Sequence, residues 1–143
     1  MIAMYLLDTN VISELRKKNK ATPSVRAFMN KVIKDQDEVF LSVITVGELR
    51  RGVEKIQHRG DNAQAEKLAS WIDSVIVDFS ENILPFGIDE AQVWGKLRVP
   101  HYENALDKQI AATALIYDLT LVTRNTKDFK NTGVRLLNPF LSF

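Results

Sequence analysis

Short, wholly apolar runs alternate along this chain with longer segments of helical period. "MYLL" (Met4 to Leu7) predicts a buried strand that halts on Asp8, Thr9 and Asn10. Asn10 to Lys18 predicts a helix with Val11, Ile12 and Leu15 on one face. Pro23 suits the start of the next helix, in which Val25, Phe28, Met29, Val32 and Ile33 keep the i, i+3, i+4, i+7 spacing. A second strand is expected over Val39 to Val43. It leads into a helix with Val46, Leu49, Val53 and Ile56 inward, closing near Gly60. Ala65, Leu68, Ala69, Ile72, Val75, Ile76 and Phe79 hold helical spacing in the longest periodic segment. "ILPF" is a brief extended piece, and Ile88 to Arg98 is a further helix. Asn104 to Tyr117 is an alanine-rich helix, apolar enough to be largely buried. "TLVT" (Thr120 to Thr123) and "VRLLNP" are the remaining strands, the last stopped by Pro139.

Apolar strands alternating with helices predict an α/β fold with a central, mostly parallel sheet flanked by helices on both faces. Ligands of open α/β sheets bind beyond the carboxyl ends of the strands. Asp8 follows the first strand, Glu48 comes shortly after the second, and Asn125 and Asp128 follow "TLVT". Asp107 opens the buried helix that feeds that strand. Each has a purely structural explanation. Thr45-x-x-Glu48 has the form of a capping box, Asn104-x-x-Asp107 and Asn125-x-x-Asp128 resemble one, and Asp8 can cap the helix after it. Independent caps do not explain why acids recur at one end of successive strands. Nor do they explain Asp107, since an unpaired carboxylate on so apolar a helix is costly. Converging carboxylates repel unless a cation neutralises them, and a capped first turn still aims its carboxylate.

Composition narrows the chemistry. The 143 residues, 45% apolar and 26% charged, have the size and make-up of one ordinary water-soluble domain. There is no cysteine and there are two histidines, His58 and His101, so thiolate and histidine-based metal centres are excluded. A metal would need oxygen ligands, which points to magnesium or manganese. Such a site supports phosphoryl transfer by an activated water, with no nucleophilic side chain. No G-x-S-x-G, Walker loop or G-x-G-x-x-G occurs. The N-terminal apolar run has no basic leader, and no stretch reaches the roughly 18 apolar residues of a membrane span, so a cytoplasmic protein is expected. Net charge is +1, which advertises no polyanion partner globally. Locally, Arg16, Lys17, Lys18 and Lys20 form one basic run, and Arg51, Lys55 and Arg59 form another near Glu48. Either is a solvated face or a contact for nucleic-acid phosphates. Trp71 and Trp94 are read as core or dimer packing, and both histidines as surface residues.

"LLDTNVISEL", "LSVITVGELRRGV", "LDKQIAATAL" and "LVTRNTKDF", followed by "VRLLNP", resemble in that order the motifs of PIN-domain ribonucleases. The resemblance is strongest to the VapC and FitB toxins of toxin–antitoxin pairs. It spreads over nearly the whole chain and implies a single PIN domain over residues 1–143. Carried over residue by residue, it makes Asp8, Glu48 and Asp107 metal carboxylates. The fourth acidic position falls in "TRNTKDF", where Asp128 or Asn125 completes the catalytic set. Asn10 would support Asp8, and Thr123 would orient groups at the same edge. The implied function is a magnesium-dependent endoribonuclease, with manganese substituting, that blocks translation by cutting a structured RNA such as tRNA. A small antitoxin would seat in an apolar groove with a basic residue reaching the acidic centre, and a homodimer is expected. The alternative is a catalytically weakened PIN-fold module that binds nucleic acid, with Asn125 as its mark. A phosphoacceptor receiver domain would need adjacent acids after the first strand and a lysine after the last, and "LLDTN" and "VRLLNP" supply neither. PIN relatives that cut structured DNA are larger and carry clamps that 143 residues cannot supply.

Overall fold

A computed structural model describes residues 2–141. Met1, Ser142 and Phe143, part of the expected 1–143 domain, lie outside the described residues. Five parallel strands form the sheet: β1 (Met4–Leu7), β2 (Glu38–Ser42), β3 (Ile83–Leu84), β4 (Thr120–Val122) and β5 (Leu136–Leu137). Their spatial order is β3-β2-β1-β4-β5. The chain moves outward from β1 on one side, then crosses back to place β4 against β1 on the other. The topological switch point therefore lies between β1 and β4, where a parallel sheet opens a crevice at its carboxyl edge.

Period-two alternation sorts the strands' side chains between two faces. Tyr5 and Leu7 of β1 and Val122 of β4 pack into one core with Val11, Phe28, Leu49 and Ile72. These come from α1 (Thr9–Leu15), α2 (Pro23–Asp35), α3 (Val43–His58) and α4 (Asn62–Asp78). Leu6 and Leu121 point the other way and meet Ile110, Ala111, Ala114 and Phe129. Of these, Ile110 and the two alanines belong to α6 (Ala105–Tyr117), which follows α5 (Ile88–Leu97). Ala111, Ala112, Thr113 and Ala114 are fully buried, so the short side chains let α6 lie close against the sheet. Among the described residues no helix is long and apolar enough to cross a membrane.

Several expected boundaries move, each for a local reason. The first helix ends at Leu15 rather than Lys18, because Lys18 turns with φ at 54° into a short 3-10 turn over Lys18–Lys20. The second strand stops at Ser42 rather than Val43. Ser42 is the N-cap of α3, its Oγ accepting from the Ile44 N–H at 3.0 Å. The capping box expected at Thr45 and Glu48 is therefore not formed: Thr45 is buried inside the helix, and Glu48 is free to face elsewhere. Asn104 does not cap α6 with its side chain, and neither does Asn125 cap the 3-10 turn Thr126–Phe129. Asn104 instead turns the chain into α6 through a left-handed backbone (φ 56°), a conformation asparagine tolerates. Asp118 does the same at the other end of α6, and the Leu119 N–H reaches back to the Ala114 carbonyl at 2.8 Å. The final strand is limited to Leu136–Leu137 of "VRLLNP".

Candidate active site

Asp8 leaves β1 at the switch point. Its backbone N–H still pairs with the Val122 carbonyl of β4 at 2.9 Å, so the strand ladder fixes where its side chain begins. Asp8 is 4% exposed, and both carboxylate oxygens accept hydrogen bonds. Oδ1 accepts from the Thr9 N–H at 2.8 Å, capping α1, while Oδ2 accepts from Thr123 Oγ1 at 2.8 Å and from Asn10 Nδ2 at 3.2 Å. Capping and site-building are thus the same act. Asn10 Nδ2 also reaches Thr123 Oγ1 at 3.2 Å, and its Oδ1 accepts from the Arg124 N–H at 3.0 Å. Thr123 Oγ1 accepts in turn from the Asn125 N–H at 3.0 Å. Asn10 and Thr123 thereby lock the ends of β1 and β4 together.

Glu48 comes in from α3. Thr9 Oγ1 donates to Glu48 Oε1 at 2.6 Å and stands 3.4 Å from Thr45 Oγ1. Thr9 is a site residue the motifs did not single out. Its partner lies 39 residues away, and no local pattern encodes that contact. Asp107 enters from the first turn of α6. That turn is held by the Trp94 indole N–H, which donates to the Ala105 carbonyl at 2.9 Å, and by buried Lys108, whose ammonium donates to the His101 carbonyl. Trp94 is half-buried and outside both core clusters, and its polar edge positions the helix that carries Asp107.

Electrostatics join these segments into one centre. Burial pushes the Asp8 carboxyl above its ordinary value; the bonds from Thr123, Thr9 and Asn10 pull it back, and the charge of Asp128 raises it further. Burial also raises Glu48, with the Thr9 bond opposing, Asp8 adding and Arg51 offsetting. Asp107 is displaced furthest, to about 7, by burial first and then by the charges of Asp8, Asp128 and Glu48. Asp128 therefore belongs electrostatically to the cluster. Asn125 is tied to it through its backbone N–H on Thr123 Oγ1.

This donor set is all oxygen and carries surplus negative charge at a half-buried edge, which suits a hard divalent cation. Among the described residues, no three acidic or histidine side chains stand close enough to enclose an ion as placed. The fit is one of donor type and charge. Arg51 and Lys55 stand exposed along α3 and Arg59 at its C-cap, and of these Arg51 acts on the charge of Glu48. The other basic run is partly committed: Lys17 pairs with Glu14 at 2.9 Å, and Arg16 lies over the Trp71 ring at 5.9 Å. His58 and His101 are exposed.

Fold and site together define an α/β domain with an acidic, oxygen-only centre at the switch point of a parallel sheet. The PIN domain family model matches residues 5–134. The chain is 36% identical to "Toxin FitB" of Neisseria gonorrhoeae, over 96% of this chain and 99% of that protein. It is 29% identical to "Ribonuclease VapC" of Rickettsia bellii, over 87% of each. The crystal structure of FitAcB from Neisseria gonorrhoeae superposes with a TM-score of 0.82 at 34% identity, covering 96% of this chain and 99% of that one. This chain belongs to the PIN domain family, and its resemblance to VapC and FitB toxins holds over nearly its whole length.

Proposed function

We propose that this protein is a magnesium-dependent endoribonuclease that hydrolyses RNA phosphodiesters as the toxin of a toxin–antitoxin pair. One observation carries the reading: acids from four separate segments, Asp8, Glu48, Asp107 and Asp128, act on one another's charge at the switch point. Relatives named as a toxin and as a ribonuclease support it. Asp8 and Asp107 would hold the principal cation, with Glu48 and Asp128 completing or extending the site, and manganese would substitute for magnesium. When bound, the cation supplies positive charge for phosphodiester hydrolysis by water. The chain's own residues do the positioning. Asn10 and Thr123 orient Asp8, Thr9 fixes one oxygen of Glu48, and the anchored first turn of α6 presents Asp107.

The partner reading has its own support. A groove of about 180 Å³ runs between α1, α3 and α4, from Thr9 and Glu48 at the acidic centre to Ile56, Leu68 and Trp71. An antitoxin segment with an apolar anchor and a basic side chain would fill the groove and neutralise the acids, which is inhibition by charge and by occlusion. Translation is the expected target, through a structured RNA such as tRNA.

The purified protein should cleave RNA from a total tRNA pool in magnesium or manganese, lose that activity in EDTA and leave duplex DNA intact. Efficient cleavage in EDTA would overturn the metal mechanism. Cleavage of duplex DNA in preference to RNA would overturn the substrate.

A further inference from the structure

Arg124 stands immediately after Thr123, exposed at the rim of the acidic centre. Its backbone is clipped on both sides. The N–H donates to Asn10 Oδ1 at 3.0 Å, and the carbonyl accepts from Asn138 Nδ2 at 3.2 Å. The same Asn138 accepts, through Oδ1, from the Phe140 N–H at 2.9 Å. One asparagine therefore fixes both Arg124 and Phe140, and the guanidinium carbon sits 3.9 Å from the Phe140 ring centroid.

Stacking on a ring uses the face of a guanidinium and leaves its in-plane N–H donors unspent. Among the described residues Arg124 has no carboxylate partner, unlike Arg135, which is paired with Asp118 at 2.8 Å. A cation whose backbone is tied to the acidic network, and whose guanidinium is stacked on a ring with no acid to neutralise it, is poised for an anion from outside. Its forked donors match the two free oxygens of a phosphodiester. Because Asn10 also bonds Asp8, the position of Arg124 is coupled to the acids it borders.

We propose that Arg124, stacked on Phe140 and anchored through Asn10 to the Asp8 network, binds a backbone phosphate of RNA flanking the acidic centre. The inference rests on the ribonuclease reading. It makes Arg124 a binding residue that positions the strand, and contact with a phosphate rather than a base makes its effect independent of sequence.

The test is binding of a fluorescently labelled, single-stranded RNA of mixed sequence, followed by anisotropy in EDTA across a salt series. Wild type, Arg124→Ala and Arg124→Lys are compared. Losing one phosphate contact should make the slope of log affinity against log salt shallower by about 0.7 in Arg124→Ala. Affinity at low salt should fall by about tenfold. Arg124→Lys should keep the slope, having kept the charge, while binding more weakly than wild type. Arg124→Ala should also show the wild-type rise in melting temperature with magnesium, because the acids are untouched. An Arg124→Ala slope equal to that of wild type, with only a lowered melting temperature, would reduce the residue to surface packing and overturn the inference. Wild type that shows no salt-dependent RNA binding would likewise overturn the inference, whereas the ribonuclease reading falls separately, on absence of cleavage of the tRNA pool in magnesium and manganese.

Discussion

Asp107 shows at a single residue how the fold sets the chemistry. Its carboxyl is raised from an ordinary 3.8 to about 7, by burial and by three neighbouring acids. The folded chain thus keeps this proton where the unfolded chain has lost it. The resulting contribution to stability is full below the ordinary value and vanishes as pH climbs to the folded one. In EDTA the melting temperature should fall between about pH 4 and pH 7, and Asp107→Asn should flatten that fall. Asp8 and Glu48 are shifted in the same direction, so some slope should survive the substitution. A slope of wild-type size in Asp107→Asn would remove Asp107 from the cluster. The two edge residues separate in the same way. The charge of Asp128 acts on both Asp8 and Asp107, whereas Asn125 is joined to Thr123 through its backbone N–H. Asp128→Asn should cut turnover by at least about tenfold, and Asn125→Ala by less than that. Steady-state kinetics on one cleaved RNA decides the order, and the reverse ranking would make Asn125 the direct participant.

At the scale of elements, the corner between α1 and α2 depends on Glu14, a residue outside the active site. Its buried carboxylate accepts from the Thr22 N–H at 2.8 Å, from Thr22 Oγ1 at 2.9 Å and from Lys17 Nζ at 2.9 Å. Thr22 precedes Pro23 at the start of α2 but makes no side-chain cap itself; Glu14 supplies the acceptor from the preceding helix. These partners, the Lys17 bond first, hold its carboxyl well below the ordinary range, at about 2. The stability it contributes is therefore present above its ordinary value and lost as pH falls towards 2. Glu14→Gln should cost about 2 kcal/mol in urea unfolding at neutral pH, with the difference from wild type closing under strong acid. RNA cleavage should be retained. A neutral-pH difference that persists unchanged in acid would assign the loss to packing rather than charge. Elements were legible in the sequence where period alone decides them, as in α2, α4 and the strand ending at Asp8. They were misread where two residues competed for one cap. Ser42 and Thr45 can each begin a helix after "VFLS", and it is Ser42, still paired with Leu84 of β3, that takes the cap.

For the whole molecule, strand order turns scattered acids into a centre. Asp8 and Thr123 are 115 residues apart in the chain and hydrogen-bonded because β1 and β4 are neighbours at the switch point. Asp8 and Asp107 could be nominated from sequence, since each stands at a predictable end of an element, and Glu48 because it follows the second strand closely. The Thr9–Glu48 bond, the double role of Asn138 and the stacking of Arg124 on Phe140 could not, because each depends on where a distant side chain is brought. On the proposed function, the gathered acids hold a divalent cation. Thermal melting of wild type and Asp107→Asn, with EDTA and with magnesium, tests it most directly. In EDTA at a pH above 7, where the Asp107 carboxyl is ionised, the variant should melt no lower than wild type, having lost one repelling charge at nearly constant shape. Magnesium at about ten times its dissociation constant should stabilise the wild type by about 1.4 kcal/mol, or about 3–5 °C for a chain of this size, and the variant by clearly less. Equal stabilisation of both by magnesium would mean that Asp107 is not a ligand and that the acids do not form the cation site.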